Sequence, residues 1–142
     1  MLPGQPGFVF APGDVDALHI DGDLLADVVY LGGAGTNALL LQDPATPGSS
    51  LPPSTFSAQG KVRVTAGHFG DGPLREIAAL DNAGAASIQI FADVAPDPVY
   101  AMVEMVATTV DATDIVAGDL NGDGEDDLVV SASGGVVIHF HR

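Results

Sequence analysis

Apolar residues in this chain fall in short runs of strand length, rich in β-branched residues and divided by Gly, Pro, Asn and Asp. Val28–Leu31, Leu39–Gln42 and Phe56–Gln59 form one series, led in by Ala17–Ile20. Val62–Ala66, Ile77–Leu80 and Ser87–Phe91 form a second, with Ile88 and Ile90 alternating against Gln89. Ile115–Gly118, Leu128–Ala132 and Val136–His141 form a third. Turn clusters at Gly32–Gly35 and Asn82–Gly84 separate neighbouring runs, and Pro96 and Pro98 break the chain. Tyr100–Ala107 predicts an outer strand. Its segment Ala101–Val106 also fits a helical turn by periodicity, but the β-branched residues at 106 and 108–110 and the spacing of the series favour strand.

The series are copies of one unit. Gly118-Asp119-Leu120-Asn121-Gly122-Asp123-Gly124-Glu125-Asp126-Asp127 precedes the run Leu128–Val130. Weaker copies start at His19 and at Gly67, and their last acidic residues are Asp27 and Glu76. The markers at 27, 76 and 127 lie 49 and 51 residues apart. A period of about fifty residues suits a four-stranded propeller blade. The expectation is an all-β, β-propeller-type chain, a single repeat domain over 1–142 with about three four-stranded blades at 16–59, 62–108 and 114–142. The third unit is one strand short, and the spare strand Gly7–Ala11 is expected to complete it. Three blades are few for a closed propeller, so the chain is expected either to form a homo-oligomeric ring or filament, or to be a fragment of a longer propeller.

The acidic segment carries the chemistry. Asp119, Asn121, Asp123 and Asp127 stand at positions one, three, five and nine of a tight loop, and the backbone carbonyl of Glu125 adds an oxygen at position seven. Ca²⁺ takes six to eight such oxygens at about 2.3–2.6 Å. Gly124 permits the left-handed turn that wraps the chain. Carboxylates this close repel unless a cation offsets them. An EF-hand starts in the same way, but it needs a Glu at position twelve and flanking helices; here position twelve is Val130 and the flanks are β-rich. The pattern Gly118–Val130 instead resembles the acidic loop of the FG-GAP/VCBS repeat family, found in integrin alpha-subunit propellers and bacterial surface proteins. The resemblance implies a Ca²⁺-binding hairpin between the first two strands of a blade. It further implies a non-catalytic role in binding a protein or glycan, and an extracellular or cell-surface location. Asp21, Asp23 and Asp27 form a weaker second site, with His19 at position one and Leu24 where glycine is wanted. The second loop offers His68, Gly70, Gly72 and Glu76, and no Ca²⁺ is expected there. Without metal, 119–127 would be a solvated turn of Asx type.

Composition narrows the reading. There are 19 acidic residues against 4 Lys and Arg, a net charge of −15. That excludes a nucleic acid or an anionic membrane surface as partner. Cysteine is absent, which removes disulfides and thiolate chemistry. No apolar run reaches the length of a membrane span, so no membrane insertion is expected, and the N-terminal residues do not read as a signal peptide. Gly33–Ala38 matches G-x-G-x-x-A, but no helix can follow before Pro44, so a hairpin turn is expected. His139 and His141 share a strand face; the plain reading turns them to water with Ile138 and Phe140 in the core, the alternative gives them a transition metal. Arg75 is either a surface residue or a neutralising partner of nearby carboxylates. No nucleophile motif, zinc motif or P-loop is present, and no enzyme is expected. A second function also fits: a structural protein that assembles by exchanging strands between copies.

Overall fold

A computed structural model of the chain describes residues 12–32, 37–46, 48–56, 61–70, 72, 74–81, 85–93, 100–109 and 111–141. Eleven strands are present among them and no helix. They are β1 (Pro12–Leu18), β2 (Asp27–Gly32), β3 (Asn37–Leu40), β4 (Ser54–Phe56), β5 (Lys61–Gly67), β6 (Glu76–Asp81), β7 (Ser87–Asp93), β8 (Tyr100–Ala107), β9 (Ala112–Gly118), β10 (Asp127–Ala132) and β11 (Gly135–His139).

The strands form three antiparallel sheets in chain order: β1 to β4, β5 to β8, and β9 to β11. The fold is therefore all-β with blade-like sheets. Tyr100–Ala107 is a strand, paired along its length with β7 from Ser87↔Ala107 to Asp93↔Tyr100, so the helical alternative is set aside. Cross-strand pairing with a packed neighbour outweighs an ambiguous local period. The segment Gly7–Ala11, expected to complete the third sheet, and the turns at 33–36 and 82–84 lie outside the described residues.

The sheets stack face on face, and the period-two alternation of each strand sorts its side chains between two joints. Between the first and second sheets, Val29, Leu31, Leu39 and Phe56 meet Val64, Ala66, Ile77, Ala79, Phe91 and Tyr100. Phe56 and Phe91 pack with ring centroids 5.0 Å apart. Between the second and third, Ala78, Leu80, Ile88 and Ile90 meet Ala112, Ile115, Leu128 and Val130. The second sheet is covered on both sides, so Ile77, Ala78, Ala79 and Leu80 are all buried in one unbroken run.

The third sheet corrects one expectation. Ile138 and Phe140 do not enter the core; they are 44% and 57% exposed. Pairing of Leu128 with His139 and of Val129 with Ile138 sets the parity. Leu128 faces the second sheet, so His139 does too, and it lies half-buried with Nε2 3.1 Å from the Thr108 hydroxyl. Burial lowers its pKa from the ordinary imidazole value.

Candidate metal centre

Each blade-like sheet opens with an acidic loop between its first two strands, and one interaction recurs in all three. The position-nine carboxylate is the first residue of the second strand: Asp27 of β2, Glu76 of β6, Asp127 of β10. All three are buried. Each reaches back seven residues to accept the backbone N–H at position two. Asp27 takes Ile20 N at 2.9 Å, Glu76 takes Phe69 N at 2.9 Å, and Asp127 takes Leu120 N at 3.0 Å. In the first and third loops the other carboxylate oxygen takes a second N–H just beyond the third strand, Gln42 at 2.9 Å and His141 at 3.0 Å. The position-nine residue thus ties three strands together, a charge-assisted role that satisfies a buried anion without metal.

The loop 119–127 is wound by a ladder of side chain to backbone bonds. Asp119 accepts from Gly122 N at 2.6 Å and from Gly124 N at 3.0 Å. Asn121 accepts from Asp123 N at 2.8 Å, and Asp123 accepts from Glu125 N at 2.9 Å. The Asn121 amide also donates to the Asp123 carboxylate at 2.8 Å. The Glu125 and Asn121 hydrogen bonds hold Asp123 below the usual carboxylate pKa. Gly122 and Gly124 have φ of 81° and 95°, the left-handed region that lets the chain curl around its own acidic side chains. The Glu125 side chain turns outward to His141 Nδ1 at 3.1 Å, leaving its backbone carbonyl as the oxygen relevant to a cation.

The first loop repeats part of this ladder. Asp21 accepts from Asp23 N at 3.1 Å and Asp23 from Leu25 N at 2.7 Å. Gly22, with φ of 80°, occupies the place of Gly122. Burial, with the Asp27 and Asp23 charges adding, raises the Asp21 pKa. Oδ2 of Asp23 is buried with no hydrogen-bond partner. The His19 Nδ1 lies 2.9 Å from the Leu25 carbonyl, which can only accept, so that nitrogen carries the proton and is no ligand. The Tyr100 hydroxyl pKa rises through burial and the nearby Asp93, Asp27, Asp21 and Glu76 charges.

The second loop has no carboxylate at positions one, three or five. The Glu76 side chain fills that space: its Oε1 would lie 3.1 Å from a Cβ added at Gly70. Arg75 follows the neutralising alternative, with its guanidinium 3.9 Å from Asp126.

The donor set of 119–127 is all hard oxygen and fits Ca²⁺ in kind. Among the described residues no three His, Asp or Glu side chains converge into a ready-made cage. The carboxylates that would ligate are instead engaged with backbone N–H groups. His139 and His141 do not form a transition-metal pair either: adjacent alternate residues of one face diverge to Thr108 and to Glu125.

A protein-family model matches from the start of β9 to the end of β11. Residues 112–139 match the model of the FG-GAP repeat. No curated protein is similar enough to the chain to count as a relative. The match coincides with the third sheet and its acidic loop, and together with the three blade-like sheets it points to a β-propeller-like module. FG-GAP repeats are typically structural modules without catalysis and occur in extracellular and cell-surface proteins. No helix among the described residues is long and apolar enough to cross a membrane.

Position two escaped the sequence reading. Ile20 and Phe69 are buried plugs at 1% and 2% exposure, one in each joint, and Leu120 is their counterpart in the FG-GAP repeat. The signal was available as an apolar residue after the first loop residue in every copy.

Proposed function

We propose that the chain is a non-catalytic, Ca²⁺-binding module for recognition of a protein or glycan outside the cell. The observation that carries this is the curled 119–127 loop. Two left-handed glycines and a ladder of Asx turns hold Asp119, Asn121, Asp123 and the Glu125 carbonyl on one short arc. Asp127 stands at its base. Ca²⁺ would neutralise the carboxylates and brace the hairpin against β11 through the Asp127 link to His141. Each Asp oxygen keeps a lone pair beyond the one its N–H uses, so a backbone N–H and a cation can share it.

The 21–27 loop is the weaker second site. The orphaned Asp23 Oδ2 supports it, because a buried oxygen without a donor is costly and a cation offsets that cost. The remaining carboxylates give an acidic surface suited to a partner that presents cations or shares the bound Ca²⁺.

Calorimetric titration with CaCl₂ after EDTA treatment tests the site. One tight event per chain is expected from 119–127, abolished in Asp123→Ala and retained in Glu76→Gln, with heat from 21–27 confined to higher CaCl₂ and MgCl₂ unable to compete at equal concentration. No heat at millimolar CaCl₂, or a tight event indifferent to Asp123→Ala, would refute the site.

A further inference from the structure

We infer that the outer face of the third sheet is a docking surface for the first sheet of a second copy of this chain. The two faces are related by the same register that builds the joints already present, and the inference does not depend on a bound metal.

Strand pairing gives the correspondence. In the second sheet, Thr65, Ala78 and Ile90 form a cross-strand row, next to a row of Arg63, Leu80 and Ile88. In the third sheet the matching rows are Val116, Val129, Ile138 and Asp114, Ser131, Val136. Ala78, Leu80, Ile88 and Ile90 are buried by the third sheet, none more than 2% exposed. At the equivalent places Val116 is 54%, Ile138 44% and Val136 64% exposed. Leu120 is 53% exposed, although Ile20 and Phe69, its counterparts, are buried plugs. The third sheet therefore carries the apolar half of a joint whose other half is not found opposite it among the described residues.

That other half is on the same chain. The surfaces that receive a preceding sheet are built from Val64, Ala66, Ile77 and Ala79 in the second sheet, and from Ile115, Ala117, Leu128 and Val130 in the third. By the same pairing they correspond to Val15, Ala17, Val28 and Tyr30 in the first. Val15 is 58% exposed, Ala17 is exposed, and Val28 is half-buried.

The polar contacts of a joint are also reproducible. Asp14 accepts from Val64 N of the next sheet at 2.9 Å; its counterpart Asp114, whose Oδ1 accepts from Ile115 N at 3.0 Å and lies 3.5 Å from Arg63, would meet Val15 N with its other oxygen. Loop position eight donates backward in both joints, Arg75 N to Ile20 O at 3.1 Å and Asp126 N to His68 O at 2.6 Å. Ala26 N is the counterpart in a following copy, with Asp119 and Leu120 supplying the carbonyl.

Magnitudes set the expected strength. A face three strands wide at ~4.8 Å spacing and ~20 Å long has a footprint of about 300 Å². Even doubled for surface relief, this falls short of the ~800 Å² each partner gives to a standard interface. A single joint is therefore weak, and the charge of −15 on each copy opposes it. Association rises with salt, because screening within ~8 Å at 0.15 M removes repulsion and leaves the apolar contact.

Sedimentation velocity of the whole chain from about 10 µM to 1 mM, a span suited to weak interfaces, at low and at 0.15 M salt tests this. Reversible association that grows with concentration and salt is expected. Val116→Asp blocks one face and Val15→Asp the other; each variant alone is expected to be monomeric, with circular dichroism unchanged. Mixed, their intact faces meet, and a 1:1 dimer forms that grows no further. A monomeric wild type at 1 mM overturns the proposal. So does association that survives in either variant, or a mixture that stays monomeric.

Discussion

The loops that end at Glu76 and Asp127 share one tie and differ in what lies inside it. Both place a buried carboxylate at position nine and aim it at the position-two N–H. Between those points they part. The FG-GAP loop holds oxygens at positions one, three and five and two glycines with positive φ. The other holds His68, Gly70 and Gly72, lets the longer Glu76 fill the space, and sets Arg75 close to Asp126. The comparison separates two jobs that a motif merges. Position nine builds the blade, and positions one, three and five are free to acquire or lose cation chemistry.

The strongest way to break that separation is to delete position nine. Asp127→Ala leaves the Leu120 and His141 amides without their acceptor at a part-buried position, a loss of about 1–3 kcal/mol in total. The unfolding free energy extrapolated from urea titration in EDTA should fall by about that range, and Glu76→Ala should fall in the same direction. An Asp127→Ala protein as stable as wild type without metal would make position nine a ligand only.

Next comes the metal itself. Ca²⁺ at about a hundred times its Kd should add about 2.7 kcal/mol to stability. Asp119→Ala should remove most of that gain while changing the EDTA melting curve far less. If Ca²⁺ stabilises Asp119→Ala as much as wild type, the two loops do not differ in the way described.

The paired glycines before each loop sharpen the contrast by a smaller amount. A Cβ at Gly67 would lie 2.8 Å from the Phe69 ring and 2.9 Å from Asp126 Oδ2, whereas one at Gly118 meets nothing within 4 Å. Gly67→Ala should cost about 1–3 kcal/mol by overpacking, and Gly118→Ala close to nothing in the monomer. Equal thermal shifts would contradict the difference between a filled and an open joint.

The smallest effect is a pH dependence at the second joint. The folded pKa of His139 lies below its unfolded value, so the unfolded chain binds the proton more tightly. Stability contributed by neutral His139 is complete above about pH 6.5 and is lost as pH falls through that value toward the folded pKa. His139→Gln should flatten the fall in melting temperature between about pH 7 and 5. A parallel curve for the variant would show that another group titrates there.

How much could be read in advance differs by level. The acidic markers at 27, 76 and 127 announced the repeat, because a carboxylate at the head of a β-branched run is conspicuous against the runs around it. Strand existence followed from alternation, and Tyr100–Ala107 was legible to its ends. The inward and outward sides of the third sheet were not. Val136–Phe140 alternates equally well with either set facing in, since period two distinguishes two faces without naming them. His139 turned inward because Leu128, its cross-strand partner, already faced Ile88 and Ile90.

The same division holds at the candidate site. Composition and spacing along the chain determined an all-β repeat of blade length, strongly acidic, with one loop of alternating oxygens. Those are local properties, carried by neighbours in sequence. Only the tertiary structure decided that position nine is a buried tie between strands, and that Ile20 and Phe69 plug joints where Leu120 remains exposed. Burial depends on which sheet lies opposite, and the opposing sheet is contributed by a different repeat of the chain.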